Sequence, residues 1–242
     1  MLIINADDWG GNRLATNRSL FCYKKGRITS ASAMMFMEDS DRSAALALGS
    51  GLDVGLHLNF TLGFSAPRKP AKLGEFQNAI AAFLLRNKYC CLLYHPLLKR
   101  QFDYVYEAQY EEYMRLYNRV PTHIDGHDHM HLCMNMIVDK IIPKGLKVRR
   151  NFSFTRNEKG PFNRFYRQRI DRWLARRYIC TDFFFGISPL RSGRLQRIVH
   201  LGIISNVELM VHAQRSDEYE YLMSEEYAQA ISDIEKGSYV LL

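Results

Sequence analysis

Two adjacent carboxylates close the first apolar run of the chain: Leu2-Ile3-Ile4-Asn5-Ala6 leads into Asp7-Asp8-Trp9-Gly10. Paired acids can divide labour, one holding a cation while the other takes a proton. A helix N-cap would account for one Asp and leave the second unexplained. His57 ends another apolar run, Gly55-Leu56-His57-Leu58-Asn59. Taken singly, such a His reads as a core residue with its hydrogen bonds met. The densest group is His123-Ile124-Asp125-Gly126-His127-Asp128-His129-Met130-His131, which holds four of the chain's eight histidines. In extended backbone, alternate residues share a face. His123, Asp125, His127, His129 and His131 are therefore expected to point one way until the chain turns at Gly126. Each imidazole needs a partner when buried, and imidazole with carboxylate is the usual donor set for zinc and related divalent ions. Glu208-Leu209-Met210-Val211-His212 repeats the arrangement, with an ionisable residue leaving an apolar run.

These residues need elements that bring distant strand ends together. Strands are expected at 2–6, 29–36, 53–58, 122–125, 146–149, 181–185, 206–211 and 238–242. Helical spacing is clearest over 102–117, where Phe102, Val105, Tyr106, Tyr110, Tyr113 and Leu116 share a face. A second helix is expected over 217–236, closed by Gly237 as a C-cap. Strands alternating with helices imply a parallel sheet with helices outside it, either a barrel or a doubly wound sheet. About seven or eight such units favour a single-domain (β/α) barrel spanning residues 1–242. Ligands of such folds bind at the C-terminal strand ends, where the acids and histidines are placed. The stretch 59–74, rich in Pro and Gly, reads as a long loop after a strand and a candidate lid or substrate wall.

Composition adds bounds. The 242 residues are 47% apolar and 24% charged, ordinary for a globular domain. No apolar run approaches the roughly 18 residues that a membrane-spanning helix needs. An opening strand also leaves no room for a signal peptide, so a soluble, cytoplasmic protein is expected. Five cysteines without CxxC spacing, Cys90 and Cys91 adjacent among them, read as small buried hydrophobes in a reducing compartment. The net charge of +8 gathers largely in 140–177, around Arg149-Arg150, Arg164, Arg167, Arg169, Arg172 and Arg176-Arg177. A solvated helix face explains such a run more simply than a nucleic-acid partner. Peripheral membrane contact through 140–177 and homo-oligomer formation are left open.

At this level the sequence resembles the YdjC-like carbohydrate deacetylase family, which includes chitooligosaccharide deacetylases. The motifs are NADDWG (5–10), GLHLN (55–59), HIDGHDHMH (123–131) and ELMVHA (208–213). The resemblance implies a distorted (β/α) barrel with outer helices and one divalent ion, Mg2+ or Zn2+, held by Asp8, His57 and His127. It implies Asp7 as general base and His212 as general acid in hydrolysis of N-acetylated amino sugars by a metal-activated water. Asn5, Asn59, Asp125, His129 and His131 are expected to touch substrate or to support the ligands. Two departures bear on substrate identity. Ala213-Gln214 stands where the family usually has Pro-Gly, and the basic aromatic segment 149–177 carries no family motif. The alternative readings are a metal-dependent amidase or esterase acting on a lipid-linked or other glycan, and a basic nucleic-acid-binding protein.

Overall fold

A computed structural model of the chain describes residues 1–154 and 160–242. Residues 155–159, part of the basic segment, lie outside the described residues. The strands are β1 (Leu2–Trp9), β2 (Ser30–Ala33), β3 (Asp53–Leu58), β4 (Ile124–Gly126), β5 (Phe183–Gly186), β6 (Val207–Val211) and β7 (Lys236–Gly237). They form a sheet in the order β4-β3-β2-β1-β6-β5, with β7 beside β1. The pairs β1–β6, β1–β7, β3–β4 and β5–β6 are parallel. This is the α/β class expected from the alternation. The long connections that parallel pairing demands are helical: α1 (Arg13–Lys24), α2 (Ser40–Ser50), α3 (Ala71–Leu84), α4 (Lys99–Tyr117), α5 (Met134–Val138), α6 (Pro161–Ala175), α7 (Ser192–Ile204), α8 (Ser216–Met223) and α9 (Glu225–Ala230). Among the described residues, no helix is long and apolar enough to cross a membrane.

Contacts gather the chain into two compact units. One comprises Met1–Asp7, Asn17–Ala31 and Lys144–Leu242, and the other Asp8–Thr16 and Ser32–Pro143. In the second unit, the predicted apolar face of α4 is borne out: Phe102, Val105, Tyr106 and Tyr113 are buried. The Tyr113 hydroxyl donates to the Val54 carbonyl at 2.6 Å, which pins α4 to β3. Gln109 of α4 accepts from the Asn59 amide at 2.7 Å, so the same helix anchors the exit of β3. The loop after β3 is shorter than expected, because α3 begins at Ala71. Ala66, Arg68, Lys69 and Pro70 of that loop wall a groove of about 880 Å³, faced by Tyr104 and Glu107 of α4.

In the first unit, the helix expected over 217–236 is two helices. Ser224 interrupts it by capping α9, its hydroxyl accepting from the Tyr227 amide at 3.2 Å. Ser224→Ala should destabilise the protein by about 1 kcal/mol, read as a lower urea midpoint with an unchanged slope. Gly237 is no C-cap. It lies in β7, where a Cβ would come within 2.0 Å of the Met1 sulfur. Residues 146–149 form no strand beyond an isolated bridge between Lys147 and Ile179. The strand expected over 238–242 is a short 3-10 turn, Tyr239–Leu241. The strand expected over 29–36 ends at Ala33, and Phe36 beyond it adopts φ +59°, a left-handed conformation. The five cysteines are free thiols. Cys90 is buried as expected, and Cys91 is half-buried.

Candidate metal centre

Asp8, His57 and His127 all belong to the second unit, and each offers one ligand atom within 4.8 Å of the others. His57 Nε2 lies 3.2 Å from Asp8 Oδ1, and His127 Nδ1 lies 3.0 Å from the same oxygen. The two rings stand 5.8 Å apart at 78°. Local backbone explains how residues from separate strands reach this arrangement. Asp8 has φ +63°, a left-handed twist at the end of β1 that Asp tolerates better than most residues. The alternation expected over 123–131 holds only to Gly126. The strand then gives way to a 3-10 segment in which Asp128 and His129 are both left-handed. His127 is thereby brought to Asp8. His131 packs its Cβ 3.1 Å from where a Gly126 side chain would begin, and its ring lies 6.3 Å from that of His129.

Parallel register sets the support of His57. β3 and β4 pair His57 with Asp125 directly, and His57 Nδ1 lies 2.8 Å from Asp125 Oδ1. Asp125 is fully buried, and its other oxygen accepts from the Ser32 hydroxyl at 2.7 Å. An ionised carboxylate only accepts, so Nδ1 of His57 carries the proton and a neutral ring presents its lone pair at Nε2. That lone pair faces an Asp8 oxygen. Two acceptors facing each other at 3.2 Å are an arrangement that a bound cation would satisfy. Burial opposes the charge on Asp8, but the His127 and His57 rings beside it hold its carboxyl well below the usual carboxylate range. The donor set of two imidazoles and a carboxylate, backed by a carboxylate on one imidazole, fits a divalent cation.

The first unit holds Asp7 in a buried network. Arg149 is fully buried, donating from Nη1 to Asp7 Oδ2 and from Nη2 to Asp7 Oδ1, both at 2.7 Å. Its Nε reaches Glu208 Oε1 at 2.8 Å, and Tyr239 donates to the other Glu208 oxygen. Asn5 donates to Asp7 Oδ1 at 3.0 Å and is itself fixed by Ser30 at 2.7 Å. Asp7 Oδ2 accepts one hydrogen bond among the described contacts, leaving lone-pair capacity for a proton. Arg149 departs from the reading of the basic run as a solvated face, since it neutralises two buried carboxylates, whereas Arg169, Arg172 and Arg176 are exposed. Nothing local marks it, since its partner Asp7 is 142 positions away in the chain. Its neighbour Arg150 is held by Asp171 at 2.8 Å.

His212 leaves β6 with its backbone amide bonded to Glu218 Oε2 at 2.6 Å and its Nδ1 3.6 Å from that oxygen. Glu218 is buried, and it also accepts from Ser188 at 3.1 Å. This acidic partner was not singled out in the sequence. Its position in the first turn of the helix following His212 was the available signal. Asn59 shapes its own loop, donating to the Leu62 carbonyl at 2.6 Å and accepting from the Thr61 and Leu62 amides.

The parallel α/β fold thus carries, at its strand ends, an Asp-His-His group that could hold a metal ion. The chain belongs to the YdjC-like protein family, whose model matches residues 1–233. A chitooligosaccharide deacetylase of Serratia marcescens is 31% identical over 137 residues, 54% of this chain and 51% of that one. One of Escherichia fergusonii is 29% identical over 133 residues, 54% of this chain and 50% of that one. The chain thus spans about half the length of the curated relatives it matches. A solved structure from Enterococcus faecalis V583, provisionally assigned as a cellobiose-phosphate cleavage protein, is similar in fold. Its TM-score is 0.67, with 20% identity across 99% of this chain and 97% of that one.

Proposed function

We propose that this protein is a metal-dependent hydrolase that removes acetyl groups from N-acetylated amino sugars, with residues 1–242 acting as one domain. The observation that carries the reading is the convergence of Asp8, His57 and His127, in a family member whose matched relatives are named chitooligosaccharide deacetylases. The match to the family model runs through both units, which supports the single-domain reading.

Asp8, His57 and His127 would hold the ion. A divalent cation there supplies Lewis-acid polarisation of the acetamide carbonyl and lowers the pKa of a bound water from 15.7 towards about 7. Asp7 takes the proton of the attacking water. Arg149 holds the orientation of that carboxylate through two hydrogen bonds of 2.7 Å. His212 gives a proton to the departing amine, because an unprotonated amine leaves the carbon poorly. The Glu218 carboxylate holds the His212 backbone amide at 2.6 Å and lies 3.6 Å from Nδ1, which places the ring. Two imidazoles with one carboxylate suit Zn2+, and Mg2+ fits if water fills further positions.

The test is acetate release from N-acetylglucosamine oligomers by the purified chain, stripped of metal and reloaded separately with Zn2+ and Mg2+. Release that depends on added metal is expected. No release with either ion, alongside turnover of simple esters or lipid-linked glycans, would replace this substrate assignment with the broader amidase or esterase one.

A further inference from the structure

We propose that Ser32 and His123 are positioning residues for His57, joined to it by a buried hydrogen-bonded chain that crosses β3 at Gly55. The inference rests on the metal-site reading above and extends it to residues with no ligand role. All members lie in the second unit.

The chain begins at His123, the residue before β4, which is buried. Its Nε2 lies 3.0 Å from Ser32 Oγ. The Ser32 hydroxyl has one proton, which it donates to Asp125 Oδ2 at 2.7 Å. The contact with His123 therefore has the ring N–H as donor. Asp125 in turn accepts from His57 Nδ1 at 2.8 Å. Ser32 O–H and His57 Nδ1–H thus both donate to Asp125, and His123 stands behind Ser32, with its own Nδ1 3.2 Å from Thr122 Oγ1. With Nδ1 protonated, Nε2 of His57 is the nitrogen left for a metal ion.

Topology makes this chain depend on a glycine. β3 lies between β4 and β2, so the His123 and Ser32 side chains must reach towards each other across two inter-strand spacings, about 10 Å between backbones. It does so by lying over Gly55. A Cβ there would stand 2.4 Å from the ring's Cε1 and Nδ1 and 2.6 Å from its Cγ. No side chain larger than hydrogen fits beneath the imidazole. Gly55 and His57 are alternate residues of one strand and share a face, as do His123 and Asp125. The two sequence motifs, GLHLN and HIDGH, are in this view one interlocking device. The glycine of the first is the seat for the leading histidine of the second.

The experiment uses the full chain, stripped of metal. It measures Zn2+ affinity by competition with a chromophoric chelator and the His57 tautomer by 15N NMR. Ser32→Ala and Gly55→Ala should each lower Zn2+ affinity by about 10–100-fold, the range seen when support for a ligating His is removed. Each should also replace the single Nδ1–H tautomer of His57 by a mixture. A variant that folds with either readout at its parent value overturns the proposal, because a merely structural defect would not shift the tautomer. If Gly55→Ala fails to fold, Ser32→Ala decides alone. His57→Ala separates the two levels of inference. Parent-like Zn2+ binding in that variant sinks the metal site and this chain together. Lost binding in His57→Ala with parent behaviour in Ser32→Ala sinks the positioning chain only.

Discussion

Asp7→Asn should retain bound metal and lose about 10²–10⁴-fold in kcat, the usual contribution of a general base. The two variants Asp7→Asn and His57→Ala form the informative pair. Asn preserves the shape of Asp7 and one acceptor for Arg149 and Asn5, but it cannot take a proton. His57→Ala removes one of three donors and should lose metal and turnover together. Metal content by elemental analysis, with acetate release on the same samples, distinguishes the roles. Parent-like turnover in Asp7→Asn removes the base assignment. Loss of metal in that variant would instead make Asp7 part of the ion's own support.

The second large effect concerns stability. Arg149→Met should destabilise the fold by about 3–5 kcal/mol, the cost of breaking a buried ion pair from one side. Arg149 is fully enclosed and also lies over the Phe184 ring, 4.9 Å from its centroid. Methionine can retain much of that packing, so the loss would come from Asp7 and Glu208, which are left as buried carboxylates without a counter-charge. Urea unfolding gives the magnitude. The double variant Arg149→Met/Glu208→Gln removes one of the two stranded charges and should recover part of the loss. No recovery would place the cost in the contact with Phe184 instead. The two predictions are linked through Asp7, since the guanidinium that stabilises the fold also aims the proposed base.

What was legible in the sequence is what local pattern encodes. β3 begins and ends where the apolar run 53–58 predicted, and the buried face of α4 follows its helical spacing. Asp8, His57 and His127 were singled out by the resemblance of their motifs to a family, because a His such as His57, taken singly, reads as a core residue. Short-range breaks were less visible. Phe36 and His129 enter left-handed conformations that their residue types do not announce, and Ser224 divides a periodic stretch by capping.

Tertiary structure alone decided the partners. Arg149 sits in a run of basic residues and has the composition of a surface, yet it is enclosed between Asp7 and Glu208, from distant parts of the chain. Ser32 is an ordinary strand serine until strand order places it beside Asp125, 93 positions later. Gly55 reads as a weak point in a strand until the ring of His123 is found seated on it. The physical reason is common to all three. Residue type and spacing report on chemistry within one element, whereas hydrogen-bond partners depend on which strands pair and in what register. In a parallel sheet those pairings are long-range.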